Sequence, residues 1–352
     1  MRTNRGVVSL GILLLVFALL LSACGAAPAA TPESGNEAPN AAEPVTVAYV
    51  PIMKFAPMYV AAERGLFGKY GLDVEIESVK SGTEAIAFLT EGVIDVGGIA
   101  IVTSLWNGWS QGLDLRVIAP GALEPFENSP TKLVVRQDLI DQGTVSEVAD
   151  LNGLTVAYAG GPGSGGEYLL TKALERGNLT IRDVETVQLG NADMPAAFEN
   201  GSIDAGVLGS PYADAVINGG FGAALATDLT PGLMTVAFVG SGKFVNERPA
   251  AAQSFVLALM EAARLMQGDD YLSAENMAAY LKYVNATEDA IRGGEPVIYD
   301  PNQVIPVEGL ADVERVHREN GRTEYEEPVD LSAVIDLTFT EQARETLGEY
   351  SQ

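Results

Sequence analysis

The two residue types that carry most nucleophilic and acid–base chemistry occur once each in 352 residues, as Cys24 and His317. A serine or cysteine nucleophile needs a base within hydrogen-bond reach, and a bound zinc needs three or four converging ligands. His317 stands in the charged stretch DVERVHREN, which reads as a solvated helix face, and Cys24 closes an apolar run. Neither a nucleophile–base pair nor a metal cluster can be assembled from them, so the sequence argues against an enzyme and against a resident metal or cofactor. Binding chemistry is better represented. The loop GGPGSGGEY at 160–168, with Gly161, Gly163, Ser164 and Gly165, lets backbone approach a ligand closely, and Ser164 can cap the helix that follows. It lacks the Lys-Ser/Thr ending of a P-loop and the spacing of a dinucleotide fingerprint. Phe55, Trp106, Tyr158, Tyr168 and Tyr212 offer rings for stacking, and Lys54 is the cation of the candidate loops, set against Glu84 and Glu167. That balance suits an uncharged, flat, hydrogen-bonding small molecule better than an anion.

The position of Cys24 explains the thiol. Arg2 and Arg5, the apolar run Leu10 to Leu21 and the small residues after it have the order of a secretory leader over residues 1–23. The run is short for a bilayer core of ~30 Å, which needs ~20 helical residues. Leu21-Ser22-Ala23 before Cys24 resembles the lipobox of bacterial lipoproteins, which implies cleavage before Cys24, acylation of its sulfur and anchorage on the extracytoplasmic face of a cell membrane. Residues 24–44, rich in Ala, Pro, Asn and Glu, read as a flexible tether. One cysteine excludes an intrachain disulfide. Loss of the leader leaves 19 of the 21 Lys and Arg against 47 Asp and Glu, which excludes a nucleic-acid partner.

The loops need a scaffold that brings them together. VTVAYV at 45–50 and LDVEIESV at 72–79 read as strands, PMYVAAERGLF and TEAIAFLTEG as helices, IDVGGIA as a short strand and TSLWNGWSQG as a helix. Such alternation argues for parallel sheets covered by helices. The second half repeats the order in LTVAYAG, GEYLLTKALERG, VETVQLG, PAAFENG and IDAGVLG, and EGVIDVG at 91–97 matches NGSIDAG at 200–206 at a spacing of 109. Two lobes on one plan imply a cleft faced by strand C-termini and helix N-termini. Lobe one is expected at 45–133 with 237–352 and lobe two at 134–236, with crossings near 133–136 and 234–240. Strand ends then nominate Lys54, Phe55 and Ala56; Ser81, Gly82 and Thr83; and Ala100, Ile101 and Thr103, with Trp106 a turn on. Opposite the glycine loop they nominate Asn191, Met194, Ser210, Pro211 and Tyr212.

The run VAYVPIMKFAPMYVAAERGLFGKYGLDVEIESVKSGTEAIAFLTEGVIDVGG resembles the N-terminal lobe of solute-binding proteins for ABC importers, in the branch that takes up sulfonates, nitrate and the thiamine pyrimidine precursor. The resemblance extends through LNGLTVAYAGGPGSGGEYLLTKAL and the second IDAG. It implies a type II periplasmic-binding-protein fold: α/β, two-lobed, each lobe a mainly parallel sheet flanked by helices. It further implies closure on a small molecule and delivery to a membrane permease by a monomeric binder. Phe55 falls where pyrimidine-binding relatives place a contact residue. Those relatives usually carry an Asn- and His-rich loop after the first strand, where this chain has Ile52-Met53-Lys54-Phe55. The departure moves the expected ligand from the pyrimidine toward riboflavin, transported rather than held as a cofactor. The same fold hosts a pyrimidine synthase that consumes its own histidine, and DVERVHREN is a poor setting for that chemistry.

Overall fold

The structure, a computed structural model, describes residues 42–79, 81–294 and 297–351. Cys24, the leader and the tether up to residue 41 lie outside the described residues. Ten strands are described: β1 (Glu43–Tyr49), β2 (Leu72–Ser78), β3 (Val96–Ala100), β4 (Leu115–Pro120), β5 (Lys132–Arg136), β6 (Thr155–Tyr158), β7 (Glu185–Gln188), β8 (Ala205–Leu208), β9 (Gly222–Ala226) and β10 (Val236–Ser241). They form two five-stranded sheets, ordered β2-β1-β3-β10-β4 and β7-β6-β8-β5-β9.

In each sheet four strands run one way and one runs back. β1 is parallel to β2 and β3, while β10 is antiparallel to β3 and β4. β6 is parallel to β7 and β8, while β5 is antiparallel to β8 and β9. The reversed strands are the two that the chain reaches by changing sheets, through 121–131 and again through 227–235. A chain that leaves one sheet at its C-terminal edge and enters the next from that same edge has to run against the other strands. Both crossings therefore lie at the edge where strand C-termini face the gap. The runs 133–136 and 234–240, expected at the crossings, are largely strands β5 and β10 themselves.

The sequence repeat marks matched structural joints. Gly92 and Gly201 end their helices in the left-handed region, at φ 69° and 73°, which glycine adopts without penalty. Three residues on, the Asp95 carboxylate accepts from the Thr46 N–H at 3.0 Å and the Asp204 carboxylate from the Thr155 N–H at 2.9 Å. Each aspartate also pairs with an arginine, Arg248 at 2.9 Å and Arg136 at 3.2 Å. The motif ties the residue before β3 to β1 and the residue before β8 to β6.

Lobe one buries β1, β3 and β10 against helices Ala56–Glu63 and Pro249–Arg264, with Phe55, Tyr59, Phe238, Phe255 and Leu259 inside. Lobe two packs Leu133, Leu151, Val156, Leu170 and Val207. Helix Val307–Glu319 places Leu310, Val313 and Val316 in a cluster with Ile101, Leu105 and Trp106 of lobe one and Tyr168 of lobe two. Among the described residues no helix is long and apolar enough to cross a membrane.

Candidate ligand-binding site between the lobes

A cavity of 210 Å³ lies at the C-terminal edges of the strands. Lobe one contributes Ile52 and Lys54 from the loop after β1, and Ala100, Ile101 and Val102 from the end of β3. The second crossing contributes Thr235, helix Gly165–Glu175 of lobe two contributes Gly165 and Tyr168, and helix Val307–Glu319 contributes Val313 and His317.

Local sequence places each group. Met53–Phe55 forms one 3-10 turn whose Phe55 ring dives into the core, which leaves Lys54 at the cleft. The Lys54 ammonium meets Glu124 at 2.6 Å and donates to Thr235 Oγ1 at 2.9 Å. In lobe two the Ser164 hydroxyl accepts from the Glu167 N–H at 3.2 Å and so caps helix Gly165–Glu175. Glu167, 1% exposed, reaches back to accept from the Gly163 N–H at 2.9 Å and pairs with the Arg322 guanidinium at 2.7 Å. Gly163 has φ 73°, and a Cβ there would lie 2.6 Å from Thr103 Oγ1, so the two lobes touch through glycine backbone.

Charged side chains of helix Val307–Glu319 bind the helix of lobe two. Asp312 accepts from the Tyr168 hydroxyl at 2.7 Å and pairs with Lys172 at 3.0 Å, and Arg315 pairs with Glu175 at 3.0 Å. Just past the helix, Asn320 donates to Thr171 Oγ1 at 3.0 Å. Burial, then the Asp312 carboxylate, push the Tyr168 hydroxyl well above the ordinary tyrosine range, so it stays a donor.

His317 corrects the sequence reading most sharply. It is fully buried, not on a solvated face, and neither imidazole nitrogen has a hydrogen-bond partner among the described residues. Burial lowers its pKa to about 4, with Glu167 pulling up and Arg322 pushing further down. The imidazole is therefore neutral at pH 7, one donor and one acceptor at the edge of the cavity. A helix face written Leu310, Val313, Val316, His317 follows the three-and-four spacing of a buried stripe, and that periodicity was the available signal.

The strand-end nominations divide. Lys54, Ala100, Ile101 and Gly165 come together at the cavity. Phe55, Ala56 and Trp106 are fully buried core residues and do not line the cavity: Phe55 packs edge-on against Phe238 at 5.4 Å and Trp106 against Trp109 at 5.0 Å. Met194 is likewise core. Gly161, Gly163 and Ser164 shape the glycine loop, and Thr103 abuts Gly163, without lining the cavity. Ser81, Gly82 and Thr83 start helix Gly82–Glu91 from its cap at Ser81, outside the lining. Asn191 is exposed, and Ser210, whose hydroxyl donates to Asp214 at 2.5 Å, Pro211 and Tyr212 are not brought to the cavity. Tyr168 also lines a larger, mainly apolar groove of 610 Å³ between the crossings and the C-terminal segment, bounded by Phe126, Leu233 and Val304. That groove lacks the strand termini and the unpartnered imidazole of the smaller cavity.

A family model for the NMT1-like family matches residues 38–283. The chain belongs to the NMT1-like family. Among curated relatives, the riboflavin-binding protein RibY of Chloroflexus aurantiacus is 30% identical over 209 residues, 55% of this chain and 54% of that protein. The chain spans 66% of the length of a putative binding protein of Brucella abortus and 54% of RibY. Among solved structures, the periplasmic aliphatic sulphonate binding protein SsuA of Escherichia coli superposes with a TM-score of 0.63 at 22% identity, over 84% of this chain and 92% of that one. The ligand binding component of an ABC-type import system from Staphylococcus aureus gives 0.62 at 14% identity, over 86% and 99%. The desulfurization enzyme DSZB gives 0.58 at 18% identity, over 87% and 99%. These likenesses establish the two-lobed fold of this NMT1-like chain, and the enzyme among them means that the fold by itself does not separate binding from catalysis.

Proposed function

We propose that this chain is the solute-binding component of an ABC importer, capturing an uncharged, planar, hydrogen-bonding ring compound in the cavity between its lobes and passing it to a membrane permease. The observation that carries the ligand class is charge compensation. Lys54 at the cavity is paired with Glu124, and Arg322 behind it with Glu167, so among the described residues lining the cavity no cation is left uncommitted to await an anion. Riboflavin is the first candidate, supported by the likeness to RibY over 209 residues. A single-ring aminopyrimidine is the second reading. The cavity volume of 210 Å³ favours it, being below the ~300 Å³ at which drug-sized ligand pockets begin. Binding rather than catalysis is the reading supported by relatives whose names are those of binding proteins.

We further propose acylation at Cys24, which tethers a monomeric binder close to its membrane partner. Cys24→Ala is expected to release the protein from membranes or leave it unprocessed, read by fractionation and mass; processing and retention unchanged would count against the anchor. The ligand reading is tested by melting in the presence of each compound. A true ligand at a hundredfold excess over its Kd raises stability by about 2.7 kcal/mol, while a melting temperature indifferent to both compounds removes both candidates.

A further inference from the structure

We propose that His317 is the specificity-determining residue of the cavity, its buried, unpartnered imidazole reading a ligand edge that offers both a hydrogen-bond acceptor and a donor. The inference deepens the binding reading above and rests on it. Buried polar groups in native proteins are almost always paired with protein, water or ligand. Here the other polar side chains at the cavity are already committed: Lys54 to Glu124 and Thr235, and the Tyr168 hydroxyl to Asp312. His317 alone among the lining residues is fully buried with both polar atoms unpartnered.

Burial holds the ring neutral, and the surrounding charges are smaller and opposed in their effect. Glu167 from the helix of lobe two and Arg322 from the C-terminal segment act on it in opposite senses, and they are paired with each other at 2.7 Å. The Tyr168 ring lies 6.4 Å away, Lys54 across the cavity is paired, and Glu314 on the same helix is held by Arg318 at 3.1 Å. A neutral imidazole has one N–H donor and one lone pair, whichever nitrogen carries the proton. A ligand that only accepts, such as a sulfonate or nitrate, satisfies the N–H and leaves the lone pair unmatched. A lactam, amidine or ureide edge on a flat ring satisfies both. His317 also lies beyond residue 283, where the family match ends, so this wall of the cavity comes from outside the matched region.

The chain has a single histidine, so in tag-free protein labelled with ¹⁵N-histidine the imidazole is one unambiguous signal pair. Riboflavin and the aminopyrimidine are titrated by calorimetry into wild type, His317→Gln and His317→Phe, with melting curves confirming that each variant folds. The expected result is 1:1 binding of one probe, a loss of about 10- to 100-fold in His317→Phe, and partial recovery in His317→Gln, whose amide restores a donor and an acceptor. Both imidazole nitrogens should shift on saturation. Equal affinity in all three proteins with unmoved nitrogens overturns the assignment while leaving the binding reading intact. Should neither probe bind, the proposed ligands fail and the assignment falls with them, and an imidazolium in the ligand-free spectrum at pH 6 overturns it independently.

Discussion

The loops after β1 and β6, the repeat-matched strands of the two lobes, occupy equivalent places and are built from opposite materials. In lobe one the loop is Ile52-Met53-Lys54-Phe55-Ala56, of which Met53, Phe55 and Ala56 pack into their own core. At the spacing of 109, lobe two has Gly161-Pro162-Gly163-Ser164-Gly165, in which backbone and one capping hydroxyl do the corresponding work. One lobe therefore presents a rigid wall with a paired lysine, and the other presents backbone that can press directly on it, as Gly163 does on Thr103. What the glycine loop lacks in side-chain contact is supplied from helix Val307–Glu319 and the residues just after it, whose polar groups grip helix Gly165–Glu175.

The comparison is most vulnerable at Gly166. A Cβ there would lie 2.0 Å from the Ala159 carbonyl oxygen, a backbone atom that cannot step aside. Gly166→Ala is expected to cost about 3 kcal/mol or more, seen as a lower denaturation midpoint at constant m-value. A near-neutral result would show the loop to be pliable, against the account.

His317 makes a pH-dependent contribution of similar size. Its folded pKa of about 4 lies below the ordinary ~6.5, so between those values the unfolded chain binds the extra proton. Stability from the neutral buried ring is complete above pH 6.5 and is lost as pH falls toward 4, by up to about 3 kcal/mol relative to His317→Gln. Superimposable stability–pH curves for wild type and variant would refute the burial.

Arg322→Ala should follow, at about 2–3 kcal/mol. It strands the buried Glu167 carboxylate, but the guanidinium is 32% exposed, which keeps the cost below the ~3–5 of a fully buried pair. The equivalent arginine-to-carboxylate joints at Asp95 and Asp204, both partly exposed, should each lose less. The smallest test sharpens the lobe symmetry. A Cβ on Gly97 meets Leu89 at 2.9 Å, whereas on Gly206 it meets Phe198 at 3.5 Å. Gly97→Ala should cost about 1 kcal/mol and Gly206→Ala close to none; equal costs would erase the difference drawn between these matched positions.

Much of this was legible in the sequence for physical reasons. Hydrophobic alternation and the repeat at 109 located the strands, because a locked strand start needs the same Asp and the same helix-ending glycine in each lobe. Strand ends pointed to Lys54, Ala100, Ile101 and Gly165. Of the nominated rings Tyr168 reaches the cavity, while Phe55 and Trp106 do not, because such a ring can turn either way and only packing against Phe238 and Trp109 decides that these two turn inward. His317 was misplaced because charged neighbours at 314, 315 and 318 masked an apolar stripe that becomes buried when lobe two docks. The Glu167–Arg322 pair spans 155 residues, a separation that local pattern does not encode.

The central claim, that the cavity between the lobes is the solute site, is tested most directly by filling it from a position where nothing else is disturbed. Gly165 lines the cavity, and a Cβ there meets no atom within 4 Å. Calorimetric titration of wild type and Gly165→Leu with riboflavin and with the aminopyrimidine, each protein first shown to melt normally, is predicted to give 1:1 binding of one compound to wild type and no heat with the variant. Wild-type affinity in a folded Gly165→Leu would contradict the account and move the site elsewhere, with the 610 Å³ groove beside Tyr168 the next place to look.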